Sequence, residues 1–304
     1  MSRFRRALAP AVVLAWAVSG PRASGQTEAP PAAPAPTRTP AVRSPGNAEW
    51  EPSIARARVR AAREGKFVFV ELDEEGCGNC QRMDALLYPA FDFEALLLEM
   101  VPVKTSRSSP EGASTAARYG IGEVPALLVV TPEGRLVFLM QGFTSAPQFY
   151  QHVKQDLDAY RAFARRVELQ NVAKLPAKEA FETGRELSQR RDAAAAVPRL
   201  ERVATAPGAT REMRESALQL AAEAQLDLAK PDAARRTIEK LIATTKDAGR
   251  RERAELLRAQ IPLTEKKPAE ALALFRAFRQ KYPQSKYGGD VDQLIRRLEQ
   301  QGAR

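Results

Sequence analysis

Cys77 and Cys80 are the only cysteines among 304 residues, and Gly78 and Asn79 separate them. Phe67 to Leu72 is an apolar, β-branched and aromatic run, and helical spacing begins near Cys80. Cys77 therefore falls where a strand gives way to a helix. A cysteine at a helix N-terminus has its thiolate stabilised by the helix dipole and by backbone N–H groups that have no helical partner. That makes Cys77 the attacking sulfur. Cys80, three positions and about one turn further on, can reach it and resolve a mixed disulfide by closing the intramolecular bridge. Two blander readings exist for the same pair. A zinc site needs two more ligands, and the single histidine, His152, lies on a separate helix. A structural staple remains open, although so short a loop adds little through chain entropy. One histidine also leaves a histidine-based nucleophile triad without parts. We expect no metal and no cofactor.

The pattern around the cysteines alternates as an α/β fold does. A helix is predicted over residues 53–64, a strand over 67–72, helical spacing over 80–100 and a strand over 101–104. Pro102 within that last strand argues for its start or an unpaired position. A short helix follows over 113–119, then strands over 126–130 and 135–140 joined by a Thr-Pro-Glu-Gly turn, then a long helix from Ala146 past Tyr160. Glu71 is the one acid inside the apolar run of the first strand, where a carboxylate is costly unless it is paired, performs chemistry or points to water at an edge.

Over residues 50–160 the chain resembles the thioredoxin superfamily. The element order matches, Cys77-Gly78-Asn79-Cys80 sits at the end of the first strong strand, and Ala117-Arg118-Tyr119-Gly120-Ile121-Gly122-Glu123-Val124-Pro125 is similar to the family's segment leading into its cis-proline. The pattern from Met83 through Phe91 to Val101 and Val103 is similar to that of secreted domains of bacterial thiol:disulfide interchange proteins. The resemblance implies that Glu71, six residues before Cys77, relays the proton of the second cysteine. It implies that Pro125 is the cis-proline facing the disulfide, with the Val124 backbone open to an extended client segment. Gly76 stands where the family usually carries tryptophan, so the client-facing surface lacks that ring. Asp73, Glu74 and Glu75 precede it; they oppose the Cys77 thiolate and make the couple less oxidising, unless water screens them. Asn79 replaces the proline common between the two cysteines.

The second half reads differently. Residues 165–304 are amphipathic helices rich in Ala, Leu, Arg and Glu, with internal repetition. Ala193, Val197 and Leu200 match Ala234, Ile238 and Leu241, then Ala271, Phe275 and Phe278, at offsets of 41 and 37 residues, with companion helices near 213–228, 251–260 and 291–300. Helix pairs at this period resemble tetratricopeptide repeats, which stack into a solenoid whose concave face binds peptides or partner proteins. A helical buttress without a ligand is the competing reading.

The fold class expected is thus an α/β thioredoxin fold over residues 49–162 followed by an all-α tetratricopeptide-like repeat domain over 163–304. Before them, residues 1–25 carry four arginines, no acid, an apolar run and Ala23-Ser24-Gly25, the pattern of a signal peptide. Its apolar run is too short to span a bilayer; an uncut short anchor is the alternative. Residues 26–48, rich in Pro and Ala, form a linker that cannot bury a core. Charge divides unevenly: residues 26–160 hold 13 Lys/Arg against 17 Asp/Glu, and residues 161–304 hold 30 against 20. The basic half points to an acidic protein partner. Nucleic acid is not expected, because the arginines are interspersed with glutamates at helical spacing. These features together describe an exported, periplasmic or envelope thiol-disulfide oxidoreductase acting on protein thiol and disulfide clients, without a stable membrane span after signal cleavage. The alternative is a non-catalytic binding or assembly protein whose repeats carry the function while the thioredoxin fold is redox-inert or regulatory.

Overall fold

Ser53 sets the first element. In the computed structural model, which describes residues 49–89 and 91–302, its Oγ accepts the Arg56 N–H as N-cap of α1 (Ile54–Glu64), and Gly65, at φ +66°, closes the other end. An acceptor at one terminus and left-handed backbone at the other satisfy the groups that a helix leaves unpaired. The expected signal peptide and linker, residues 1–48, lie outside the described residues.

The chain continues through β1 (Phe67–Asp73), α2 (Gly78–Leu87), α3 (Phe91–Leu97), β2 (Met100–Ser106), α4 (Pro110–Tyr119), β3 (Ala126–Val130), β4 (Leu136–Gln141) and α5 (Ala146–Glu168). The strands form one sheet in the order β2-β1-β3-β4. β1 and β2 run parallel, and the other neighbours are antiparallel. Strand side chains alternate between faces, so β1 serves two layers. Val68, Val70 and Leu72 pack with Val101, Val103, Leu128 and Val130 against Ala57 and Ala61 of α1 and Ala116 of α4. On the alternate positions Phe69 meets an aromatic cluster with Trp50, Phe93 and Phe149, and the next residue of that stripe is Glu71. Burying side chains of this size stabilises the fold by about 1.5–3 kcal/mol each.

One reading changes and another is narrowed to the second of its two alternatives. The 80–100 stretch is two helices, because Pro89 supplies no N–H to a continuing ladder and its ring crowds the preceding turn. Met100 accordingly opens β2, and Leu86, which shares the helical spacing, is 50% exposed. Pro102 lies inside β2, not at its start. β2 is an edge strand, and the Pro102 carbonyl accepts the Glu51 N–H at 2.9 Å, so its backbone faces away from β1 and the missing donor weakens no sheet pair.

The chain divides between Leu157 and Asp158, within α5, into two compact units. The second continues through a 3-10 turn (Val172–Lys174), α6 (Ala177–Gln189), α7 (Ala193–Thr205), α8 (Arg211–Asp227), α9 (Pro231–Thr244), α10 (Ala248–Thr264), α11 (Pro268–Lys281) and α12 (Gly288–Gln300). Three turns in it are alike. Arg191, Ala229 and Lys266 all take positive φ, and each following N–H reaches the carbonyl five residues back: Asp192 to Leu187, Lys230 to Gln225, Lys267 to Pro262. The turns recur at 38 and 37 residues. That register aligns Ala196, Leu200 and Val203 of α7 with Ala234, Ile238 and Leu241 and with Ala271, Phe275 and Phe278, all of them buried. The first copy expected at Ala193, Val197 and Leu200 is therefore three residues early. The alanine run 193–196 satisfies the spacing in two registers, and only the second puts the small residue where the helices close together. Pro198 then falls on an exposed position of α7.

Arg199, buried in this unit, is held by three acceptors. The Arg199 guanidinium donates to Gln170 Oε1, the Ala195 carbonyl and the Val167 carbonyl, each at 3.0 Å. Among the described residues no helix is long and apolar enough to cross a membrane. The repeat register is testable by substitution. Ala196→Leu should overpack the α7 interface and lower stability by about 1–3 kcal/mol. Ala193→Leu, at a partly exposed position, should change it by under about 0.5 kcal/mol. Urea unfolding followed by helical circular dichroism separates them, and equal effects would return the register to Ala193.

Candidate active site

Cys77 ends the loop that leaves β1 and caps α2. Its backbone N–H bonds to the Glu74 carbonyl at 3.1 Å, its carbonyl accepts from the Cys80 and Gln81 N–H groups, and its Sγ accepts the Cys80 N–H at 3.1 Å. Gly76, before it, takes φ +77° and is exposed, with open space where a Cβ would project. A side chain there would be strained by the backbone, not by neighbours. The two cysteines are joined as a disulfide with Cα atoms 5.3 Å apart. They differ in access: Cys77 is partly exposed, and Cys80 is 3% exposed.

Packing fixes α2 beneath the disulfide. Met83 and Leu87 are buried, and the Tyr150 hydroxyl of α5 donates to the Leu87 carbonyl at 2.8 Å. Burial pushes the Tyr150 phenol up from its ordinary value. Arg82, two residues after Cys80, lies over the Phe143 ring at 4.4 Å. Phe143 follows Gly142, whose N–H donates to the Pro125 carbonyl at 2.8 Å. Gln141 Oε1 accepts from the Gly122 and Glu123 N–H groups at 2.7 and 3.3 Å. The segment 122–125 is thus tied to the end of β4. The Val124–Pro125 peptide bond is cis, Pro125 is buried and Val124 is partly buried.

Glu71 is wholly buried. It pairs in register with Lys104 of β2 and opposite Leu127 of β3. The Lys104 Nζ stands 3.1 Å from Glu71 Oε1, 3.4 Å from Asp73 Oδ2, and 2.9 and 2.7 Å from the two Asp84 oxygens. The edge reading, with the carboxylate in water, is excluded by this burial. Burial drives the Glu71 carboxyl up to about 8; the Lys104 charge opposes the shift, and Asp84 and Asp73 add to it. Burial would lower Lys104, yet the carboxylates of Glu71 and Asp84 leave its ammonium above the ordinary value. Of the three acids before the motif, Glu74 and Glu75 are exposed, while Asp73 shares Lys104. Cys77, Cys80, Glu71, Gly76, Val124 and Pro125 are the residues expected from sequence; Lys104 beside Glu71, Asp84 on Lys104, and Arg82 over Phe143 are contacts that the sequence did not signal.

A pH effect follows from Glu71. A carboxyl that holds its proton more tightly folded than unfolded adds stability below the unfolded value of 4.5, and that stability is lost as pH rises toward about 8. The oxidised protein should lose roughly 1 kcal/mol per pH unit within that window through this one group. Glu71→Gln should flatten the profile. Thermal unfolding between pH 4 and 9 checks it, and an equal slope in the variant would show that Glu71 does not titrate there.

The thioredoxin-like domain family matches residues 54–156. No curated protein matches the chain. Among solved structures, a thioredoxin from Thermus thermophilus is 25% identical, covering 36% of this chain and 85% of its own length, with a TM-score of 0.33. A putative disulphide-isomerase from Bacteroides thetaiotaomicron is 25% identical, covering 36% and 93%, with a TM-score of 0.34. A DsbH oxidoreductase is 17% identical, covering 45% and 95%, with a TM-score of 0.33. The strand order, the disulfide at the start of α2 and the family match agree: residues 54–156 form a thioredoxin-like domain with a Cys-Gly-Asn-Cys disulfide, and an all-α helical region follows it.

Proposed function

We propose that the protein is an exported thiol-disulfide oxidoreductase of the cell envelope, acting on protein thiols and disulfides through Cys77 and Cys80. The observation that carries this reading is the asymmetry at the start of α2: a partly exposed sulfur caps the helix, and a buried one stands behind it. In the dithiol form the Cys77 thiolate attacks a client disulfide, forming a mixed disulfide and releasing one client thiol. Cys80 gives its proton to Glu71 and attacks the Cys77 sulfur, expelling the second client thiolate, so two electrons pass to the client. The same steps reverse when a client dithiol attacks the disulfide; protonated Glu71 then supplies the proton to departing Cys80. Gly76 leaves the approach to Cys77 open, and the segment at Val124 and Pro125 receives an extended client by strand addition.

The helical region, read as tetratricopeptide-like repeats, serves client or partner selection. Its surplus of 30 Lys/Arg over 20 Asp/Glu supports an acidic protein partner. Tethering a redox site to such a surface raises the local concentration of what the surface holds.

Cys80→Ser should accumulate mixed disulfides with proteins of the envelope, whereas Cys77→Ser should trap none. Equal trapping by both variants would cancel the assignment, and a chain that turns over no disulfide would leave a binding protein. Trapping by Cys80→Ser should also weaken as salt rises, since screening acts within about 8–10 Å at moderate ionic strength. Reduction of a small neutral disulfide by the wild-type chain should not. Salt-independent protein trapping would remove the charge-steered partner.

A further inference from the structure

The Lys104 ammonium has three donors and three carboxylates around it, and they are not shared evenly. Both Asp84 oxygens accept hydrogen bonds from Nζ, at 2.9 and 2.7 Å. Glu71 Oε1 is an ion-pair partner at 3.1 Å, longer than either Asp84 contact, and both Glu71 oxygens are fully enclosed. Asp84 belongs to α2, one turn after Cys80 on the same helix face, and its side chain is 37% exposed. It can hold the lysine because it keeps part of its hydration, which Glu71 does not. The ammonium, which could neutralise the buried acid, is turned toward the helix that carries the second sulfur.

Resting on the redox reading above, we propose that Asp84 is a positioning residue: by drawing Lys104 toward itself it weakens that cation's hold on Glu71 and so keeps Glu71 as a proton-exchanging group for Cys80. The elements packed around Glu71 present few other charges. β1 contributes Asp73, β2 contributes Lys104, α2 contributes Asp84, and β3 presents Leu127 opposite. The direction of the Glu71 shift agrees, since Asp84 and Asp73 both push its proton affinity up while Lys104 pulls it down. Without Asp84, Lys104 would hold Glu71 more tightly, the carboxylate would be held as an ion, and its affinity for the Cys80 proton would fall.

A double-mutant cycle in the full-length oxidised chain tests this, with the Glu71 side-chain carboxyl followed by carbon-13 NMR as pH is varied. Asp84→Asn should lower the Glu71 midpoint by about one pH unit, a tenfold loss of proton affinity. In a Lys104→Met background the same substitution should move it by less than half as much, because only direct repulsion by Asp84 remains. Lys104→Gln serves if the methionine variant fails to fold. No shift with Asp84→Asn, or an equal shift in both backgrounds, would overturn the proposal. The pH profile of Cys80-dependent release of a trapped client should follow the NMR midpoint in the Asp84 variant. An NMR shift without a matching kinetic shift would uphold the Asp84–Lys104 linkage and instead remove Glu71 from the proton transfer.

Discussion

A carboxyl group with no exposure inside a β-sheet is the constraint to which the rest of the first unit is fitted. An ionised carboxylate at that depth without a partner would cost many kcal/mol, so the fold must bring a cation or keep the proton. It does part of each. The parallel register of β1 and β2 sets Lys104 beside Glu71, and Asp84 draws the same ammonium toward α2. Strand register and helix placement are thereby coupled through one nitrogen atom. A one-residue slip of β2 would turn Lys104 to the opposite face, among Val101 and Val103.

The second constraint is the terminus of α2. The Cys80 N–H is shared between the Cys77 carbonyl and the Cys77 sulfur, so the sulfur is itself part of the helix cap. For this to be useful the helix must not move when the bridge opens. Buried Met83 and Leu87, the Tyr150 bond to the Leu87 carbonyl, Arg82 over Phe143 and the Asp84–Lys104 contact hold it from four sides. Cys80, on the same helix, is 3% exposed.

How much of this was legible depended on sequence separation. Ser53, Gly65, the Thr-Pro-Glu-Gly turn and the Cys77–Cys80 spacing act within a few residues, where residue type decides conformation. Lys104 and Asp84 are 20 residues apart and Glu71 is on another strand. Nothing local distinguishes this lysine, and only the strand register shows that it faces the acid. Arg82 and Phe143 meet across the same kind of distance. Pro89 was legible but passed over, because apolar spacing continues through it. The repeat register failed for the opposite reason: four successive alanines, 193–196, offered two equally good solutions, and only burial chose between them.

The two units treat charge in contrasting ways, and that contrast places the chemistry. In the helical unit, Glu215 is held below its ordinary range by its hydrogen bond with Arg211, and Glu265 by those with Lys267 and Arg235. Arg253, 4% exposed, lies 2.9 Å from Glu223. Glu215 and Glu265 stay ionised near neutrality, and pairs of this kind tie neighbouring helices together. Each such pair takes one charge of either sign, so the surplus of Lys/Arg over Asp/Glu in residues 161–304 is unchanged by it. In the first unit, by contrast, Glu71 is the acid that burial drives upward into the physiological range, and it lies on the strand that leads to Cys77. A buried carboxyl whose proton affinity is raised this far lowers stability near neutrality. Glu71→Gln should relieve that cost and stabilise the oxidised fold near neutrality.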